Sequence, residues 1–419
     1  MNEPGKIGVV GIGYVGLPLA VAFAEQGADV VCVDSDPSKL EALAAGRSYI
    51  EDIPAATLEP LRERLHPSAD HADLAECEAV IVCVPTPLTN SREPDLSYLL
   101  GAAEAIAAVL VPGQLVVLES TTYPGTTRER LVPILESTGM SAGTDFHVAF
   151  SPERIDPGRT DYTVRTTPKI VGGVDAASSE RAAELYRRIC DEVVVVSTPE
   201  AAELAKLLEN IFRSVNIALV NELSQLCDRL GIDVWEVVEA ASTKPFGFMR
   251  FDPGPGMGGH CLPVDPFYLA FKAREADFYP EFVELAGKVN QTQPVFCVER
   301  IERALNDVGK PVRGSKILLL GASYKGGIGD IRESPALKIA RLLRERGGEV
   351  SYHDPHVAEL PDLELRSVEF GPAVAAADLV AIVTAHPEVD YPALVEAAAL
   401  VIDFRGVTRG LDAENLIRL

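Results

Sequence analysis

The residues Gly11-Ile12-Gly13-Tyr14-Val15-Gly16 follow a short apolar run and open a stretch of helical periodicity. An acid, Asp34, closes the next apolar run, 18 residues after the last of these glycines. A lone G-x-G-x-x-G means little, but in this context it admits few folds. Gly11 makes a tight turn out of a strand, Gly13 lets backbone N–H groups approach a pyrophosphate, and Gly16 permits close helix–sheet packing. Tyr14 and Val15 lead into a helix N-terminus, where negative charge is favoured. Asp34 can accept hydrogen bonds from a ribose 2′-hydroxyl and would repel a 2′-phosphate. Ser35 follows it, with no arginine at that place. The pattern predicts a βαβ dinucleotide-binding unit that takes NAD rather than NADP.

The same alternation continues downstream. Apolar runs at 6–10, 30–33, 79–84, 115–118 and 147–150 are separated by helical patterns, as in a parallel sheet buried on both faces. Thr198-Pro199-Glu200 then offers an N-cap, a proline at the first helical position and a first-turn acid. Apolar residues recur with helical spacing from Leu204 to Leu230, and Gly231 stops them. A helix of that length can connect two domains and form a subunit interface. Beyond it, KILLLG at 316–321 echoes KIGVVG at 6–11, and DLVAIVTAHP at 378–387 echoes EAVIVCVP at 78–85. We therefore expect an α/β protein: two Rossmann-like doubly wound parallel-sheet domains joined by a long central helix and a helical dimerisation region. The boundaries expected are 1–198, 199–300 and 301–419.

Composition narrows the partners. A formal net charge of -24 argues against nucleic acid and against an anionic membrane surface. No apolar stretch predicts a membrane span, and no signal peptide is visible. The seven cysteines show no paired spacing, which fits a reducing, cytoplasmic setting. No second cluster at ligand spacing accompanies His260 and Cys261, so no metal is expected.

Chemistry gathers in PGPGMGGHCLPVD at 253–265. Glycines before Cys261 let substrate and backbone come close, and Asp265 can organise a water or a basic partner. Cys32 and Cys83, inside strands, read as inert packing residues. Lys206 and Asn210 are four apart and share a helix face, a spacing that could hold an oxyanion. Glu153, in Ser151-Pro152-Glu153-Arg154, is a candidate base at a strand end. Glu119-Ser120-Thr121-Thr122 ends another strand, with hydroxyls expected to face the cofactor crevice. Lys325 and Arg332 follow the second glycine turn and are assigned to a nucleotide-sugar diphosphate, Arg332 shared with the cofactor.

In order along the chain, GIGYVGLPLA, VPTP, ESTTYPGTT, SPER, ELAKLLEN, PGPGMGGHCLPVDP and YKGGIGDIRESPA resemble the UDP-glucose/GDP-mannose dehydrogenase family. The resemblance covers nearly the whole chain, and its cysteine loop and RESPA motif are highly specific. It implies an NAD-dependent nucleotide-sugar 6-dehydrogenase that removes four electrons from a C6 hydroxymethyl. The route would run through an aldehyde, a Cys261 thiohemiacetal and a Cys261 thioester, with two NAD per turnover. It assigns Lys206 and Asn210 to the oxyanion, Glu153 to thioester hydrolysis, and Thr121 and Asp265 to the water. It assigns Asp34 and Lys39 to the adenosine ribose, Thr86 and Thr121 to the cofactor, and Arg154, Arg250, Gly258, Lys325 and Arg405 to the sugar nucleotide. It also implies a homodimer or higher homo-oligomer.

Departures bear on the substrate. SPER stands where UDP-glucose enzymes typically have NPEF, Pro157 stands where they carry a second acid, and Val264 where they carry a lysine. SPER and KPFGFM at 244–249 are closer to the UDP-N-acetylhexosamine branch. Abundant arginine and alanine read as a GC-rich genome, which keeps UDP- or dTDP-glucose open. A two-electron β-hydroxyacid dehydrogenase shares a Rossmann domain and a helical partner, but needs neither a thiolate nor a third domain. An NAD-responsive binding protein would require Cys261 to be merely structural.

Overall fold

A computed structural model describes residues 5–50, 53–89, 91–154, 161–259 and 264–419. Cys261, His260 and Pro157 lie outside the described residues. The chain divides into two compact units. Unit 1 is Met1–Glu209 with Phe267–Phe278, and unit 2 is Asn210–Pro266 with Tyr279–Leu419.

Unit 1 is built on eight strands: β1 Ile7–Val10, β2 Val30–Val33, β3 Leu65–Ser68, β4 Ala79–Val82, β5 Leu115–Leu118, β6 His147–Phe150, β7 Lys169–Gly173 and β8 Val193–Val195. Their order is β3-β2-β1-β4-β5-β6-β7-β8. The expected parallel sheet is therefore present, but β7 runs antiparallel to β6. Successive residues serve opposite faces: Val30 and Cys32 enter one core cluster with Leu17 and Phe23, and Val31 and Val33 enter the other with Leu99 and Ile106. That is why these strands read as continuous apolar runs.

The long helix is Pro199–Leu230. Thr198 Oγ1 accepts the N–H of Ala201 at 3.2 Å, and first-turn Glu200 meets Arg128 at 2.8 Å. Leu207 and Ile211 are buried, whereas Leu204, Leu208, Phe212, Leu219, Leu223, Leu226 and Leu230 stand exposed.

In unit 2, β9 Lys316–Leu320, β10 Glu349–His353, β13 Leu379–Ile382, β14 Val401–Asp403 and β15 Leu416–Arg418 form a second parallel sheet, ordered β10-β9-β13-β14-β15. A small antiparallel pair, β11 Glu359–Leu360 and β12 Leu365–Arg366, sits beside β10, where Ser367 bridges to Tyr352. Ile317 and Leu319 pack in one cluster with Trp235 and Val298; Leu318 and Leu320 pack in the other with Leu394.

Candidate active site

The strand order of unit 1 reverses between β1 and β4, where open α/β sheets bind ligands beyond the strand ends. Gly11, at φ +90, turns the chain there, and a Cβ on it would meet the Cys83 carbonyl oxygen at 2.6 Å. A Cβ on Gly16 would lie 1.9 Å from the Gly11 oxygen, so helix Gly16–Glu25 can start there only with glycine. Nothing lies within 4 Å of the Cβ position of Gly13, which leaves open the space a pyrophosphate needs. Tyr14 is exposed and Val15 half-buried beside it. Asp34 accepts the Ile12 N–H at 3.0 Å and the Asp36 N–H at 2.9 Å, and Lys39 reaches it at 3.1 Å. The loop, Asp34 and Lys39 are thus one bonded group, and this donor set and open cradle fit NAD.

Beside it, at the ends of β4 and β5, the Thr86 hydroxyl donates to the Thr121 carbonyl at 2.7 Å. Tyr268 donates to the Thr86 carbonyl at 2.9 Å. Not every hydroxyl of the 119–122 stretch follows the expectation: Ser120 donates to the Val84 carbonyl at 2.8 Å, and Thr122 is buried without a hydrogen-bond partner. Main-chain oxygens at the end of β4 and just past it, those of Val82 and Val84, hold the Ser120 hydroxyl inward.

Glu153 follows β6. Its carboxylate lies 3.8 Å from the buried Lys169 ammonium, which binds Glu119 at 2.9 Å. Tyr186 donates to the other Glu119 oxygen, and Lys169 lies 5.0 Å from the centre of the Tyr186 ring. Burial raises the Glu119 carboxyl, opposed by Lys169 and reinforced by Glu153. Lys169 and Tyr186 carry no local motif and were not singled out from sequence. Lys206 is buried and donates to the Glu153 carbonyl. Arg154 is turned onto protein groups, meeting Glu209 at 2.8 Å and the Pro168 carbonyl at 2.5 Å.

In unit 2, buried Asn210 donates to Asp265, and Arg213 donates to the Asn210 side-chain oxygen Oδ1 at 2.5 Å. Gly258 lies so close to the loop after β9 that a Cβ would meet Tyr324 at 2.7 Å and the Glu333 carbonyl at 3.0 Å. Lys325 is half-buried in that loop. Arg332 pairs with Asp330 at 2.6 Å, and its carbonyl accepts the Gly259 N–H at 3.0 Å. Arg405 follows β14; burial pushes its guanidinium down, against the pull of Asp252 and Asp403. Arg250 is exposed and meets Asp252 at 2.9 Å.

Asp354, at the end of β10, stands where Asp34 stands in unit 1. It differs in being closed off: Ala322, Ser323, His356 and Val357 donate main-chain N–H groups to it, and His386 meets it at 3.0 Å. His386, His356 and Glu388 bring ligand-type atoms within 4.8 Å of one another. The second His386 nitrogen takes the Gly327 N–H at 3.3 Å, so both its ring nitrogens face protein groups.

Cys32, Cys77, Cys83, Cys190, Cys227 and Cys297 are free and buried. Burial pushes Cys32 and Cys77 up to about 12 and Cys190 up to about 11. Such thiols are poor nucleophiles at neutral pH.

Residues 5–190 match the NAD binding domain of the UDP-glucose/GDP-mannose dehydrogenase family, 200–292 its central domain and 318–410 its UDP binding domain. The chain is 38% identical over 387 residues to a UDP-N-acetyl-D-mannosamine dehydrogenase of Pyrococcus horikoshii, covering 91% of this chain and 90% of that protein. It is 38% identical over 359 residues to a UDP-N-acetyl-D-glucosamine 6-dehydrogenase of Pseudomonas aeruginosa, covering 84% and 83%. The structure of UDP-D-ManNAc dehydrogenase from Pyrococcus horikoshii superposes with a TM-score of 0.90 at 33% identity, covering 99% and 98%. A UDP-glucose dehydrogenase from Pyrobaculum islandicum gives 0.88 at 30%, also covering 99% and 98%.

Proposed function

The chain belongs to the UDP-glucose/GDP-mannose dehydrogenase family, and from that premise we propose that it oxidises C6 of a UDP-N-acetylhexosamine to the uronate through a Cys261 thioester. It is an NAD-dependent nucleotide-sugar dehydrogenase. The N-acetylhexosamine rests on relatives acting on N-acetylmannosamine and N-acetylglucosamine, in agreement with SPER and KPFGFM. The observation that carries the thioester is the state of the other cysteines. Six are buried, and Cys261 is the one set in a run of glycines.

Bound NAD supplies the hydride acceptor for each of the two oxidations. The Gly11–Gly16 loop, with Tyr14 and Val15, holds the pyrophosphate, and Asp34 and Lys39 hold the adenosine ribose. Thr86 and Thr121 fix the cofactor further along. The first oxidation removes hydride from C6 and a proton from its hydroxyl, leaving an aldehyde. The Cys261 thiolate adds to that carbon, forming a C–S bond and an alkoxide that takes a proton. Loss of the second hydride and that proton leaves a thioester. A water then adds to the carbonyl and the C–S bond breaks, giving carboxylate and thiolate. Lys206 and Asn210 are assigned to the developing oxyanion, and Glu153 accepts a proton from the water that Thr121 and Asp265 orient. Lys325, Arg332 and Arg405 supply positive charge for the sugar nucleotide, with Arg154, Arg250 and Gly258 as further contacts. Functionally we read 1–198 as the NAD part, 199–300 as the dimerisation part and 301–419 as the nucleotide part.

The exposed apolar stripe of the long helix suits a second copy of the chain, since such patches mark association surfaces. Free cysteines fit a reducing cytoplasm. Among the described residues no helix is long and apolar enough to cross a membrane. Turnover of UDP-N-acetylmannosamine and UDP-N-acetylglucosamine beside UDP-glucose, dTDP-glucose and GDP-mannose tests the substrate; preference for glucose would overturn it.

A further inference from the structure

Buried amides are costly unless they are hydrogen-bonded, so a cluster of them asks what they hold. In unit 2, Asn221 on the long helix and Asn290 and Gln293 on helix Glu281–Asp307 are all buried. Their bonds converge on one peptide. The Asn221 side-chain oxygen accepts the Gly254 N–H at 2.9 Å, and Gln293 Nε2 donates to the Gly254 carbonyl at 3.1 Å. Asn221 in turn donates to Asn290 at 3.1 Å, Asn290 donates to the Ser214 carbonyl at 3.1 Å, and Gln225 donates to Gln293 at 2.8 Å. The third side of Gly254 is closed as well, because a Cβ there would lie 2.6 Å from the Arg405 guanidinium.

Elsewhere in this unit helix Glu281–Asp307 packs with aliphatic side chains such as Val298 and Ile301. Amides replace them where the 253–257 stretch passes. Pro294, inside that helix, has no N–H for the Asn290 carbonyl, and Gly256 approaches this freed oxygen, its Cβ position 3.2 Å away. Six residues separate Gly254 from Cys261, and Gly256, Gly258 and Gly259 are among them. A stretch so rich in glycine holds no geometry by itself. Its fixed points among the described residues include the clamped Gly254 peptide, the Asn290 amide on the Met257 sulfur at 3.8 Å and the Gly259–Arg332 bond at 3.0 Å.

We propose that Asn221 and Gln293 are positioning residues for the proposed reaction: by fixing the Gly254 peptide they hold the start of the glycine run that leads in sequence to Cys261. The inference rests on the thioester reading. Displacing a nucleophile by about 1 Å can cost on the order of a hundredfold in rate. The cost falls on the oxidation that needs the thiolate and spares the one before it.

The test is a single-turnover experiment on the full chain, with enzyme and NAD in excess over UDP-N-acetylmannosamine or whichever nucleotide sugar turns over. The variants are Gln293→Met, which keeps side-chain length and removes the donor, and Asn221→Ala. Ser214→Ala is the control, since its buried hydroxyl has no hydrogen-bond partner. In Gln293→Met and Asn221→Ala the first NADH should form at the wild-type rate and the second at least about tenfold more slowly, with KM within about threefold. Ser214→Ala should match wild type. Unchanged second phases, equal slowing of both phases, or equal slowing in Ser214→Ala would overturn the clamp. Should Asn221→Ala fail to fold, Gln293→Met decides alone. Cys261→Ser separates the two ideas: two NADH per sugar from that variant would sink the thioester reading itself, whatever the clamp variants do.

Discussion

The Lys206 ammonium donates to the main-chain carbonyl of Glu153, tying the first turns of the long helix to the end of β6 within unit 1. That carbonyl fixes the direction of the buried side chain. The proposed oxyanion role asks for a donor fixed in this way. Lys206→Met should lower kcat by about 100-fold or more while changing KM far less, as removal of an oxyanion donor does. Steady-state kinetics at saturating NAD check this.

The Asp34 carboxylate should matter for the cofactor alone. Asp34→Ala removes the acceptor for the Ile12 and Asp36 N–H groups and the partner of Lys39. KM for NAD should rise by about tenfold and the preference over NADP should shrink, as the loss of about 1–2 kcal/mol of charge-assisted hydrogen bonding implies. KM for the sugar nucleotide should stay near wild type. Parallel titrations with NAD and NADP give the answer.

Lys169 neutralises Glu119 in the interior, beside Glu153. Lys169→Met leaves Glu119 buried without its cation. Breaking such a pair costs about 3–5 kcal/mol, visible in chemical denaturation. Replacing the pair together, Lys169→Met with Glu119→Gln, should return much of that stability. If the single variant were as stable as wild type, the cluster would not hold the charges described.

Unit 2 should show an acid-sensitive step from Asp354. Burial alone would raise this carboxyl, but His386 and the main-chain N–H groups outweigh it and hold it at about 2. A folded-state pKa below the unfolded one gives stability that is present above about pH 4 and lost as pH falls toward 2. The difference is worth about 2 kcal/mol. Denaturation curves between pH 5 and pH 2 should be flatter for Asp354→Asn than for wild type.

The exposed leucines of the long helix give a prediction about assembly. Leu208 is 63% exposed and Leu219 53%. Leu208→Glu with Leu219→Glu should convert a dimer to monomers in sedimentation, with little change in monomer stability. A wild-type chain that sediments as a monomer would remove the reason for the stripe.

Much of this was legible beforehand because periodicity and glycine spacing are local signals. Strands β2, β5 and β6 fall on the apolar runs at 30–33, 115–118 and 147–150, and the long helix begins at Pro199 and stops before Gly231. Strand β3 was illegible: Leu-His-Pro-Ser has no apolar pattern and forms because β2 offers it an edge. The reversal of β7 was hidden too, since Lys-Ile-Val-Gly-Gly says nothing of its direction. In the site, motif residues such as Gly16, Asp34 and Lys206 announced themselves. Lys169, Tyr186, Asn221 and Gln293 did not, because they act through partners distant in sequence: 50 residues for Lys169 and Glu119, 39 for Gln293 and Gly254.

The central claim is a four-electron oxidation through a cysteine, and counting NADH tests it most directly. Purified protein with excess NAD and a limiting amount of UDP-N-acetylmannosamine or UDP-N-acetylglucosamine should release two NADH per sugar consumed and yield the uronate. One NADH per sugar, or none with either substrate, would contradict it.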